Sequence, residues 1–196
     1  MTVMRRFAPL MVLAGLVLAA ACSPTAPSDV DGGKHGAAIG GPFALVDQSG
    51  RPVTDRDFRG RPLVIYFGYT YCPEACPTTL AAMTNWIKTL GPDASRLNFA
   101  FVSIDPERDT PAVMARYLTM FDPHIRGLTG TPAQAAQIAK EYRVYYRKVP
   151  IEGGSYTVDH STVVYLMRSD GSFQGVIGYQ EPPDQAVAQL RELLHS

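Results

Sequence analysis

The sequence predicts an α/β domain of three layers, with helices on either side of a central mixed sheet. Three observations predict it. Leu63–Tyr69 (LVIYFGY) and Leu97–Asp105 (LNFAFVSID) are rich in β-branched and aromatic residues and apolar on both faces, as strands covered from two sides must be. Helical start signals follow each run, so the first half makes parallel strands with crossover helices. Two further extended runs and a terminal helix close the chain, which adds an antiparallel hairpin capped by a helix.

The chain opens with Arg5 and Arg6, and then Phe7–Ala21 carries no charge. That run is short of the ~20 residues needed to cross a hydrocarbon core. A basic start, an apolar run and small residues make a secretory signal. Ala19, Ala20 and Ala21 stop at Cys22, in a pattern that resembles the bacterial lipobox, with Ala19 where leucine is usual and Leu18 one place earlier. The expectation is a lipoprotein signal peptide over residues 1–21 and a lipid on Cys22. A free thiol just past the cleavage point would be a liability in an oxidising compartment. Residues 22–41 are rich in Ser, Pro, Gly and Ala without apolar period and predict a lipidated flexible tether. Residues 42–196 are then one folded domain, long enough for a proper core.

Within that domain, Pro42–Thr54 predicts two short strands around the turn Gln48-Ser49-Gly50, an N-terminal β-hairpin ahead of the main pattern. The strand Leu63–Tyr69 leads through Thr70-Tyr71-Cys72 to a helix over Pro77–Leu90, with Leu80, Met83, Ile87 and Leu90 on one stripe and Gly91-Pro92 ending it. After the second buried strand, Thr110-Pro111 opens a helix to Met120 and Thr131-Pro132 another to Tyr142. Val144–Pro150 and Ser155–Val158 form an inserted hairpin through Gly153-Gly154. Ser161–Met167 and Phe173–Tyr179 form the last hairpin, and Pro182 or Pro183 opens the final helix. This is a thioredoxin-like arrangement with an extra N-terminal hairpin and an inserted hairpin segment.

Composition removes several functions. The chain has 18 basic and 18 acidic residues, and losing residues 1–21 would remove two arginines and no acid. A neutral or slightly acidic chain has no basic field for a phosphate backbone, so nucleic acid is excluded as a partner. Three cysteines in 196 residues do not make a disulfide-dense mini-protein. With Cys22 assigned to lipid, two remain for chemistry.

Those two stand in Tyr71-Cys72-Pro73-Glu74-Ala75-Cys76-Pro77, between a buried strand and a helix. If the helix begins there, Cys72 and Cys76 share one face with Cβ atoms about 5–6 Å apart. Their sulfurs can then form a disulfide or bind one metal ion. The helix N-terminus favours thiolates. Thiolates select soft ions such as Cu(I), and two cysteines are few for structural zinc. A stapling disulfide across so short a loop would gain little chain entropy. A third ligand must come from His35, His124, His160 or His195. His35 is in the tether and His195 is beside the C-terminus. His124 follows a helix in a loop. His160, in Val158-Asp159-His160-Ser161, precedes a buried strand whose start faces the cysteine loop in a thioredoxin-like arrangement.

The residues resemble the Sco/SenC family of cytochrome c oxidase assembly proteins. The resemblance rests on Phe67-Gly68-Tyr69-Thr70 with Cys72-Pro73-Glu74-Ala75-Cys76-Pro77, on Val102–Pro111, on Gly127-Leu128-Thr129-Gly130-Thr131 and on Val158-Asp159-His160-Ser161. Tyr71 departs from the histidine of many members. The resemblance implies that Cys72, Cys76 and His160 bind copper as Cu(I), with Cu(II) as a second state; the sequence leaves open a further Cu(II) ligand such as Asp159 or water. It implies delivery of that copper to the CuA domain of cytochrome c oxidase subunit II, or reduction of that domain's cysteines beforehand, with another periplasmic copper chaperone or a thiol reductase as a second partner. It also implies a loop over Asp105–Pro111 near the copper site, ordered by ion pairs of its acids with Arg108 or turned to a partner. With Cys22 lipidated, the expected place is the bacterial cell envelope, as a membrane-anchored monomer facing the periplasm.

Two rivals use the same sulfurs. In a thiol–disulfide reductase, Cys72 attacks a partner disulfide and Cys76 resolves the mixed disulfide, and His160 is dispensable. In a peroxidase of the peroxiredoxin kind, a threonine stands three residues before the reactive cysteine; here Thr70 stands two before Cys72.

Overall fold

The structure is a computed structural model and describes residues 38–196. The expected signal peptide, Cys22, His35 and most of the expected tether lie outside the described residues. The packed chain begins slightly before Pro42: Ile39 packs against the core, and the Gly40 N–H donates to the Glu141 carbonyl at 2.9 Å.

The elements are β1 (Ala44–Asp47), β2 (Pro52–Thr54), β3 (Leu63–Gly68), α1 (Ala75–Leu90), β4 (Asn98–Ser103), α2 (Pro111–Leu118), β5 (Ile125–Thr129), α3 (Pro132–Glu141), β6 (Tyr146–Pro150), β7 (Tyr156–His160), β8 (Val164–Met167), β9 (Phe173–Ile177) and α4 (Pro183–Leu193). Seven strands form one mixed sheet in the order β2-β1-β5-β4-β3-β8-β9. β3, β4 and β5 run parallel, and every other pairing in the sheet is antiparallel. The inserted hairpin β6–β7 is a separate two-stranded sheet. Gly153 and Gly154 turn it at φ 83° and 78°, a conformation that a Cβ would strain.

All six residues of β3 are buried, and the two faces serve different helices. Tyr66 and Gly68 meet Cys76 of α1, and Phe101 of β4 meets Tyr117 of α2. Phe67 and Tyr165 turn the other way, onto Tyr142 at the end of α3. α4 packs beside α1. The result is the expected three-layer arrangement, with the extra N-terminal hairpin joined to the sheet through β1 and β5.

Two local expectations are corrected. Ile125–Thr129 is a strand between β4 and β1, where the sequence pattern showed only the connection between two helices. Its five residues include Arg126 and Gly127, which break an apolar run. Arg126 stays in register because Asp47 takes its guanidinium at 2.9 Å, and Gly127 leaves room for Leu118 and Met114 of α2. The first helix starts at Ala75 rather than Pro77, and 3-10 turns at Asp55–Phe58 and Gly91–Arg96 had no clear signal.

Candidate metal centre

β3 lies inside the sheet between β4 and β8, and the cysteine loop leaves its end at Gly68. The loop folds back at once, with the Cys72 N–H donating to the Tyr69 carbonyl at 3.2 Å. Cys72 therefore lies before α1, not on it, and the two cysteines do not share a helix face. Their sulfurs meet by another route. The amide of Cys76, in the first turn of α1, donates to Cys72 Sγ at 3.3 Å. The sulfur thus takes up an amide that the helix start leaves without a partner.

Cys76 is fully buried and Cys72 is half-buried, and their sulfurs are not bonded to each other. Gly68 makes this burial possible. A Cβ there would stand 2.6 Å from Cys76 Sγ and 2.9 Å from the Phe101 ring. The Tyr66 hydroxyl donates to Cys76 Sγ at 3.6 Å.

His160 ends β7 and reaches the same point across 84 residues of chain, with Nε2 3.6 Å from Cys76 Sγ. Its Nδ1–H donates to the Ser161 carbonyl at 2.8 Å. That bond fixes the tautomer and leaves Nε2 free for a ligand. The ring stands edge-on to Tyr69, with centroids 5.8 Å apart. The ligand atoms of Cys72, Cys76 and His160 all lie within 4.8 Å of one another.

The two sulfurs differ in charge. Hydrogen bonding from the Cys76 side chain, opposed by burial and helped by His160 and the first-turn amides, brings the Cys72 thiol down to about 4. Burial, and then the neighbouring Cys72 sulfur, push the Cys76 thiol far up. At neutral pH the pair is one exposed-side thiolate and one buried thiol. Two sulfurs and one imidazole nitrogen, with no carboxylate, form a soft donor set that suits Cu(I) better than a hard cation.

The other two histidines among the described residues are elsewhere. His124 precedes β5, at the end of the sheet away from the cysteine loop, with its Nδ1 2.6 Å from Asp122 Oδ1. His195 is exposed. Asp159 pairs with Arg147 on the exposed side of the hairpin and is not part of the cluster. The loop Asp105–Pro111 does lie beside the site. Asp105 pairs with Arg108, and buried Asp109 accepts from Thr70 N–H (3.1 Å), Thr70 Oγ1 (2.5 Å) and Ser103 Oγ (2.6 Å). Sequence reasoning missed Tyr66, Tyr69 and Tyr156. The first two read as strand residues in an apolar run, and nothing in their spacing marks a hydroxyl aimed at a sulfur or a hairpin.

Residues 31–195 match the family model SCO1/SenC. The chain is 41% identical over 159 residues to the mouse "Protein SCO2 homolog, mitochondrial", covering 79% of this chain and 62% of that one. It is 40% identical over 158 residues to the human "Protein SCO1 homolog, mitochondrial", covering 78% and 52%. It spans 48% to 62% of the length of eight curated relatives that it matches. Among solved structures, Bradyrhizobium japonicum ScoI with copper bound superposes with a TM-score of 0.76 at 48% identity, over 80% of this chain and 99% of that one. Yeast Sco1 with copper bound gives 0.74 at 37% identity, over 81% and 90%.

Proposed function

The chain belongs to the SCO1/SenC family, and from that footing we propose that it carries copper for the assembly of cytochrome c oxidase. Cys72 Sγ, Cys76 Sγ and His160 Nε2 hold one ion as cargo, and the receiver is the CuA domain of subunit II. The observation that carries this reading is the meeting of two sulfurs with an imidazole whose Nδ1 is already committed to the Ser161 carbonyl. Two thiolates and a neutral imidazole around Cu(I) make a three-coordinate centre of net charge −1. A receiving thiolate can approach its open side, so release by ligand exchange is compatible with firm holding. The signal over residues 1–21, the lipid on Cys22 and the tether over 22–41 would place the carrier on the cell envelope, facing the periplasm, as a monomer. Among the described residues, no helix is long and apolar enough to cross a membrane.

One observation favours a second reading, a reductase that keeps the CuA cysteines reduced. Cys72 is the accessible thiolate and Cys76 the buried thiol, the division of labour that attack and resolution require. The test compares wild type with His160→Ala in two assays: Cu(I) transfer to an isolated CuA domain and reduction of that domain's disulfide. Transfer by wild type that is lost in the variant supports the carrier and assigns the imidazole to it, whereas reduction by both proteins without transfer by wild type favours the reductase. Transfer unchanged by the substitution would contradict the carrier.

A further inference from the structure

His160 does not sit on the main sheet. It ends a hairpin that shares no ladder with the seven-stranded sheet, so side chains must press β7 against the cysteine loop. Val158 is buried in the core, and the polar holds come from two places. Tyr69, just past β3, shares a hydrogen bond with Thr157 Oγ1 at 2.8 Å and accepts from the Val158 N–H at 3.1 Å. The loop after β4 supplies the rest. Asp105 is fully buried and accepts from the Tyr156 hydroxyl at 2.7 Å with one oxygen and from Arg108 Nε with the other. Arg108 Nη1 donates to the Tyr156 carbonyl at 2.9 Å. Its guanidinium lies 3.8 Å from the centroid of the Tyr156 ring and 4.9 Å from that of Tyr71, the neighbour of Cys72. Its Nη2 is buried without a hydrogen-bond partner. A cation is thus held between the residue that precedes one ligand and the strand that ends in another, by one carboxylate, one carbonyl and stacked rings.

Resting on the copper reading above, we propose that Arg108 and Tyr156, joined through Asp105, are positioning residues that clamp the β6–β7 hairpin and so deliver His160 Nε2 to the two sulfurs. The clamp touches no copper ligand's sulfur or ring nitrogen. It acts through the backbone of β7, four residues from Tyr156 to His160. Released from it, the hairpin keeps its own ladder and its Tyr69 bonds but is held less closely, and His160 Nε2 is less often at the two sulfurs.

The test uses the full chain with Arg108→Met, Arg108→Lys, Tyr156→Phe and His160→Ala. In copper-free protein, exchange of the Val158 amide, which is held by the Tyr69 hydroxyl, is expected to be at least about tenfold faster in Arg108→Met than in wild type, the worth of one charge-assisted hydrogen bond. The amides of β3 and β4 are expected to keep their wild-type rates. Cu(I) affinity in Arg108→Met is expected to fall toward that of His160→Ala, and the double variant should bind no more weakly than His160→Ala alone. Arg108→Lys should recover part of the loss. Tyr156→Phe keeps the ring and removes only the hydroxyl, so it folds and should show the same changes at smaller size. Wild-type exchange and wild-type affinity in both Arg108→Met and Tyr156→Phe would overturn the clamp while leaving the carrier intact. A wild-type chain that binds no Cu(I) would instead overturn the carrier, and the exchange data would still judge the clamp.

Discussion

The Tyr66 hydroxyl donates to Cys76 Sγ across 3.6 Å, where neither residue meets solvent. Burial, first, and the nearby Cys76 raise the phenol's pKa, so it stays a donor at any ordinary pH. The bond favours the free sulfur over a disulfide sulfur. Tyr66→Phe should therefore shift the Cys72–Cys76 couple to a more negative potential by about 20 mV, the two-electron equivalent of about 1 kcal/mol. Equilibration in a graded thiol–disulfide buffer reads the shift. An unchanged or more positive potential would remove the bond from the account.

Copper loading should release a proton. Cys72 is already a thiolate, while burial keeps Cys76 protonated. Binding Cu(I) at neutral pH then displaces about one proton, so affinity should rise about tenfold per pH unit through the neutral range. Calorimetry in buffers of different ionisation enthalpy counts the proton. A count near zero would mean that Cys76 is not a ligand, and a count near two that Cys72 is not held as thiolate.

Gly68→Ala places a methyl 2.6 Å from Cys76 Sγ and 2.9 Å from the Phe101 ring, both buried. Overpacking of this kind costs about 1–3 kcal/mol. The sulfur must move, so thermal stability and Cu(I) affinity should fall together. Lower stability with wild-type affinity would show that the glycine serves packing alone.

Asp47 anchors the N-terminal hairpin. Its buried carboxylate accepts from Ser49, Arg51 and Arg126. Burial pushes the carboxyl up, but these bonds together outweigh burial and hold it well below the usual range. Because the folded pKa lies below the unfolded value near 4, the stabilisation is complete above that value and fades as pH falls toward the folded one. Asp47→Ala should cost about 2 kcal/mol at neutral pH, discounted for the part-exposed arginines. The deficit should be smaller at about pH 3. Denaturant melts at the two pH values measure both, and a deficit that grows in acid would reverse the assignment.

Much of this was legible beforehand, for identifiable reasons. Leu63–Tyr69 and the stripe Leu80, Met83, Ile87, Leu90 carry their periods openly, and all four stripe residues are buried as expected. β5 was not legible, because a five-residue strand with Arg126 and Gly127 has no period of its own and exists through its neighbours. The cysteine pair was expected together on a helix face. It came together through a turn at Tyr69 and one amide-to-sulfur bond, a geometry that i, i+4 spacing does not encode. His160 stood out by its place before a buried strand. The clamp around it did not, since Arg108 and Tyr156 are far apart in sequence and meet only in the fold.

Copper carriage as proposed requires Cys72, Cys76 and His160 to share one copper ion. X-ray absorption on the reduced full chain loaded with one Cu(I), beside His160→Ala, tests it most directly. Two sulfurs and one nitrogen are expected in wild type, and the loss of that nitrogen in the variant. Two sulfurs alone in wild type, or the same nitrogen in both proteins, would contradict it.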